Sequence, residues 1–215
     1  MPYEWFLALE QPVDKTHWFA DVTRRGGKFS DTAYLAQSGC IPSEATPANP
    51  RGLPVGFTVT RDIPGADGEP YNAVGLTCAA CHTGQLNHEG TTLLIDGGPA
   101  VISLDAFGEA MVVALLKTIA PTRYARFERN VLGDDATDAA RRQMLHRFED
   151  VVKGIKAEAV IVLRNKDANV TEGFARLDAL NRIGNTVFGL DHGVNVAPTD
   201  APVNYLHIWS SSWFD

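Results

Sequence analysis

The sequence predicts a mainly α fold with long loops and one small β-hairpin. Three observations carry that prediction. Met144, Phe148, Val151, Val152, Ile155, Ala159 and Val162 recur at three- and four-residue steps, the spacing of one apolar helix face. Helix start and stop residues bracket several other stretches. Between them, residues 41–72 hold six prolines and four glycines, which exclude a long helix and favour extended, loop-rich chain.

The elements follow in order. Residues 1–40 read as short helices joined by loops, with Trp5, Phe6 and Leu9 on one face of the first. Asp31 is placed to cap a turn from Thr32 to Gln37, with Gly39 as its stop. Tyr3, Trp5, Phe6, Trp18, Phe19 and Phe29 are expected to pack as core. Leu53 to Thr60 is apolar enough to be packed down as a wall beside a later site. Asn87 to Gly90 form the turn of a hairpin whose second strand is Leu93 to Asp96, with His88 at its solvated tip. Ser103 or Asp105 caps a helix reaching Lys117, which carries Phe107, Met111, Val112 and Leu115. Pro121 opens a second helix to about Val131, stopped by Gly133. The third runs from Asp135 or Thr137 to about Asn165, its wet face laced by Glu149 with Lys153 and Asp138 with Arg142. A fourth, Thr171 to Phe188, sets Phe174, Leu177, Leu180, Ile183 and Val187 on its apolar face. Beside them runs a stripe of Asp178, Asn181, Arg182 and Asn185, read either as a buried hydrogen-bond network facing a ligand or as a plain polar strip.

Composition narrows the function classes. The chain has 215 residues, 45% hydrophobic and 21% charged, with a net charge of −7 and no block of Lys or Arg. That argues against a nucleic-acid surface. No apolar run reaches the roughly 18 residues of a membrane span. The first ten residues lack the basic start and apolar stretch of a signal peptide, so the chain reads as a fragment of a longer protein.

Chemistry concentrates in Leu76-Thr-Cys-Ala-Ala-Cys-His-Thr-Gly84. Cys78, Cys81 and His82 make the C-x-x-C-H pattern of covalent haem attachment. Two thiols at this spacing reach the two vinyl groups on a porphyrin edge, and the following imidazole reaches the iron. Two other readings compete. Zinc would take the same three groups with His88 or Cys40 as the fourth ligand. A thioredoxin-type dithiol would follow a strand in a βαβ unit, and the approach to Cys78 reads as loop. Haem c is favoured, which leaves Cys40 as a small buried residue and Met111 and Met144 as core. An attached haem places the protein outside the bacterial inner membrane, periplasmic or secreted.

Four segments go further. Gly75 to Gly84, Ile95-Asp-Gly-Gly-Pro-Ala100, Phe174 to Phe188 and Ala201 to Trp209 together resemble the dihaem cytochrome c peroxidase superfamily, in the branch that includes haem-dependent rubber oxygenases. The resemblance implies a cytochrome c-like, mainly helical haem domain over residues 73–215, preceded by N-terminal helices and a Pro/Gly-rich region over 1–72. It implies a second haem domain beyond this chain. Cys78 and Cys81 become the thioether anchors and His82 the proximal iron ligand. Phe188 and Trp209 are candidates for an aromatic distal pocket, and His207 for a sixth ligand. The implied activity is peroxide reduction or oxygen activation, with a small-molecule oxidant or oxygen and a redox partner or the second haem domain as partners. The alternative is an electron-transfer cytochrome c with no catalysis of its own.

Overall fold

The computed structural model describes residues 1–12, 25–65, 68–164, 167–189 and 196–209. Trp18, Phe19 and the chain end beyond Trp209, on which parts of the reading above fall, lie outside them. Among the described residues 39% are helical and 19% are in strands. This corrects the expected mainly α, cytochrome c-like fold: short antiparallel sheets alternate with helices.

The reason lies first in the proline-rich stretch. β1 (Phe57–Pro64) and β2 (Pro70–Leu76) pair antiparallel, with Phe57 opposite Leu76 and Pro64 opposite Pro70. Thr58, Val59, Thr60, Ile63, Tyr71 and Val74 suit a pleated surface, and the two prolines close the far end, where a missing N–H costs least. β3 (Thr83–His88) and β4 (Thr91–Asp96) form the second pair, turned by Glu89 and Gly90, both at positive φ. That is the expected hairpin, extended by several residues, and the double positive φ is the geometry that matches strand twist. β5 (Arg176–Leu177) and β6 (Val203–Asn204) form the third.

Six α-helices are described. α1 (Tyr3–Ala8) buries Trp5 and Phe6, and Leu9 just after it is fully buried. α2 (Thr32–Ala36) is capped by Asp31, which accepts from the Tyr34 N–H at 3.0 Å. α3 (Leu104–Lys117) is capped by Ser103, and α4 (Pro121–Leu132) starts on its proline and stops at Gly133 with φ of 81°. α5 (Asp138–Arg164) buries Met144, Phe148 and Val152, while Val151 is turned outward. Lys153 reaches Asp150 at 3.0 Å, and Arg141 reaches Glu128 of α4 at 2.7 Å. α6 (Ala179–Gly184) is far shorter than the expected fourth helix. Gly173 and Ala175 sit at positive φ and the next two residues pair as a strand, so the helix cannot start before its Asp178 cap.

Aromatic rings organise the core. Trp5, Phe127 and Phe148 pack mutually, Trp5 meeting Phe127 edge-on at 5.6 Å. Phe6, Phe29, Phe57 and Phe107 form an adjoining group. Each such pair contributes about 0.5–1.5 kcal/mol beyond its burial. The buried Glu10 fixes this end of the chain to α4, accepting from Arg126 Nε at 2.7 Å and Nη2 at 2.8 Å. The expected boundary at residues 72 and 73 lies inside β2, and the buried cluster draws side chains from both sides of it.

Candidate functional site

β2 delivers the chain to a single 3-10 turn, Cys78–Ala80, followed by Cys81 and His82. Thr77 ties the entrance, its N–H and hydroxyl both donating to the Gly56 carbonyl. Gly56 has φ of 83°, and a Cβ there would lie 2.2 Å from the Ala80 nitrogen, so only glycine lets this loop press on the turn. The chain at Gly56 therefore packs directly on the turn. Within the turn, the Cys81 and His82 N–H groups both donate to the Cys78 carbonyl. Its exit is tied as well: Gly97 N–H donates to the His82 carbonyl at 2.9 Å and Ala100 N–H to the Cys81 carbonyl at 3.0 Å.

The late segment Tyr205–Trp209 closes over this frame. Ile208 N–H donates to the Gly97 carbonyl at 2.9 Å, and Trp209 Nε1 to the Asp96 carbonyl at 2.7 Å. The Trp209 ring lies so near Gly97 that a Cβ there would be 2.6 Å from it. His82 Nδ1 lies 2.7 Å from the Leu206 carbonyl oxygen. A carbonyl can only accept, so Nδ1 carries the proton and the neutral ring keeps the lone pair on Nε2.

Tyr205 stands edge-on to His82, ring centroids 6.5 Å apart, and its own N–H donates to the Ala175 carbonyl. The hydroxyl is buried and has no hydrogen-bond partner among the described residues. Burial pushes the Cys81 thiol up from its ordinary range, with the Tyr205 hydroxyl opposing and Cys78 adding to the rise. Burial also pushes the Tyr205 phenol up, helped by Cys81 and Glu172 and opposed by Arg182.

Two competing chemistries fare poorly on this geometry. The approach to Cys78 is strand, not loop, but an antiparallel hairpin rather than a βαβ unit. A raised Cys81 thiol is the reverse of a dithiol nucleophile's. No three His, Cys, Asp or Glu side chains are grouped to hold a metal ion among the described residues, which bears on iron as much as on zinc. His88 is at the hairpin tip, about 20 Å away along a strand rising ~3.3 Å per residue. Cys40 is buried in the core, its thiol pushed up to about 11 by burial.

The polar stripe does make a hydrogen-bond network, and its partners are other parts of the chain. Arg182 Nε donates to both oxygens of Glu172, at 2.9 and 3.0 Å, and its Nη2 pairs with Asp105. Glu172 is 1% exposed and also accepts from the Asp178 N–H. Asp178 is buried and accepts from Asn181 and from the Ala201 N–H, while Asn185 clasps both polar groups of Ala197. Glu172 escaped the reading of the sequence, and Asp105 was seen only as a cap; a search for acids opposite Arg182 was the available signal.

The apolar face of that region is a correction. Phe174, Leu180, Ile183 and Val187 are exposed, Leu180 at 86%. Among the described residues no second layer covers them. Phe188 lies on the π-turn Asn185–Gly189 and is 74% exposed. His207 is exposed and stacks on Trp209, centroids 5.0 Å apart. Of this segment the Leu206 carbonyl is what meets His82 Nδ1, while Trp209 is tied to Asp96.

No helix among the described residues is long and apolar enough to cross a membrane. The chain is 40% identical over 228 residues to an uncharacterized protein, y4iJ, of Sinorhizobium fredii (strain NBRC 101917 / NGR234). The match covers 100% of this chain and 36% of that relative, so the chain spans about a third of the relative's length. No protein-family pattern and no solved structure matches it.

Proposed function

We propose that this chain is a c-type haem domain of a redox protein, with Cys78 and Cys81 as the covalent anchors and His82 as the proximal ligand. The observation that carries the reading is the 2.7 Å contact of His82 Nδ1 with the Leu206 carbonyl. It holds the imidazole in the tautomer that leaves Nε2 free to ligate, as iron- and zinc-bound histidines are held. Exposed Cys78 and half-buried Cys81 are both free thiols, as attachment requires.

Bound there, haem would supply a redox-active iron able to react with oxygen or peroxide. The chain's own residues do the rest. The 3-10 turn sets the two sulfurs and the imidazole in one short segment; Gly56, Gly97 and Ala100 brace its backbone. Leu206 holds the proximal proton. Phe188, Trp209 and His207 would be the candidates for the distal side of a bound haem.

The reading extends to the first haem domain of a dihaem peroxidase-like or oxygenase-like enzyme, reducing peroxide or activating oxygen, in the periplasm or secreted, with a second haem supplied by a further domain. Expression behind a signal sequence in a host that matures cytochromes c tests it. A mass increase of one haem that survives denaturation is expected, together with a reaction with peroxide or carbon monoxide. No covalent haem would sink the proposal. A six-coordinate spectrum indifferent to peroxide, oxygen and carbon monoxide would leave an electron carrier in its place. Substitution of His82 should abolish proximal ligation, and an unchanged iron spectrum would remove that assignment.

A further inference from the structure

The His82 hydrogen bond depends on where Leu206 is held, and the exposed Leu206 side chain does not hold it. The chain just before it is fixed instead. Val203 and Asn204 pair with Leu177 and Arg176, and the Tyr205 N–H donates to the Ala175 carbonyl at 3.0 Å. The other side of these contacts is an arch, residues 172–178, folded back on itself. The Glu172 carboxylate accepts from the Asp178 N–H six residues later at 2.6 Å, and Ala175 between them has φ of 60°. A residue with a Cβ keeps that conformation only where its surroundings impose it. Arg182 closes the arch. Its Nε donates to both Glu172 oxygens, and its Nη2 bridges Glu172 and Asp105. Asp105 also accepts from the Glu172 N–H at 2.9 Å, which pins the arch to the first turn of α3. Asp178 accepts from the Ala201 N–H at 3.1 Å and so holds the returning chain as well.

Building on the haem reading above, we propose that Arg182 is the positioning residue for the proximal histidine: it locks the arch that sets the Leu206 carbonyl 2.7 Å from His82 Nδ1. It acts through Glu172, the Ala175 carbonyl and the Tyr205 N–H, and not on the imidazole itself. A planar fork spanning two carboxylates makes one rigid piece of α3, the arch and α6, which a single ammonium group cannot do. α3 in turn follows the loop in which Gly97 and Ala100 hold the carbonyls of His82 and Cys81. Both sides of the frame around His82 therefore meet at Arg182. An orienting acceptor on one ring nitrogen fixes the tautomer and makes the other nitrogen more basic. The network thus does more than neutralise its own buried charge: it sets how strongly His82 donates to an iron.

The test reads His82 rather than stability. In the whole chain without haem, at a pH where the ring is neutral, nitrogen-15 NMR should find the His82 proton on Nδ1. Arg182→Lys keeps the charge and loses the fork, and should raise the share of the Nε2–H tautomer several-fold while the amide signals of α1, α4 and α5 stay in place. Asp105→Asn keeps the shape and removes one of the bridged charges; it should move the tautomer the same way, and it carries the test if Arg182→Lys unfolds residues 170–209. An unchanged tautomer in a folded variant would overturn the positioning role. In the haem-loaded chain the midpoint potential should rise in Arg182→Lys, because a less basic imidazole stabilises ferric iron less; an unchanged or lower potential would overturn the role and leave the haem reading intact. A parent chain that takes up no haem yet shows the tautomer response would sink the haem reading and leave the coupling of Arg182 to His82 standing.

Discussion

The two ends of the structure are held by opposite means. The region around α1, α4 and α5 turns its aromatic rings inward, so that Trp5, Phe127 and Phe148 exclude water from one another. The region from Glu172 to Trp209 does the reverse. Its buried members among the described residues are Glu172, Asp178 and Tyr205, and most of its large apolar side chains face out. Area removed from water supports the first; hydrogen bonds to charged groups and to the main chain support the second. The difference teaches which region still has apolar surface to cover: Leu180, Phe188 and Leu206 are exposed, whereas the ring cluster is already closed.

The comparison can be broken at its strongest point first. Phe127→Ala opens a cavity at the centre of the ring cluster and should cost about 3–5 kcal/mol in denaturant unfolding. If the aromatic region underlies the whole structure, both regions will melt together. Arg182→Met leaves Glu172 buried without its arginine and should cost about 2–3 kcal/mol. Hydrogen exchange should localise the loss to residues 170–209, and protection lost equally in α4 would erase the distinction. Glu10→Gln should cost about 1–2 kcal/mol at neutral pH, and it carries a pH signature. Burial pushes the Glu10 carboxyl up, but the Arg126 hydrogen bonds and the charges of Arg126 and Arg123 outweigh it and hold it below its ordinary 4.5. A depressed carboxyl stabilises fully above its unfolded value and loses that contribution as pH falls through the folded one. The gap between parent and variant should therefore close in acid; a gap that widens there would refute the sign. Asp31→Ala, at the cap of α2, should cost only about 1 kcal/mol in thermal melting.

What could be read in advance divides along physical lines. Ser103, Pro121, Gly133 and the Glu89-Gly90 turn act within a few residues of themselves, and the elements they start or stop are where local reasoning put them. The C-x-x-C-H spacing is equally local. β1 with β2 was hidden because proline is a strong helix breaker but a weak guide to pairing, and the partner strand decides. The fourth helix was overread because apolar spacing says nothing about whether another layer exists to receive that face. Arg182 and Glu172 announce a network only once their ten-residue separation is folded. The contact that matters most to the site was least visible of all, joining two residues 124 positions apart.

That contact has a consequence for how the site tolerates change. The acceptor for His82 is main chain, so replacing the Leu206 side chain leaves the oxygen where it is. The aim of the imidazole is instead inherited from the path of the backbone, through Tyr205 on Ala175 and Ile208 on Gly97. Position 206 is free to drift in sequence, whereas a shift of one residue in the alignment of that segment would take the acceptor away from the His82 imidazole without altering a single atom of the motif.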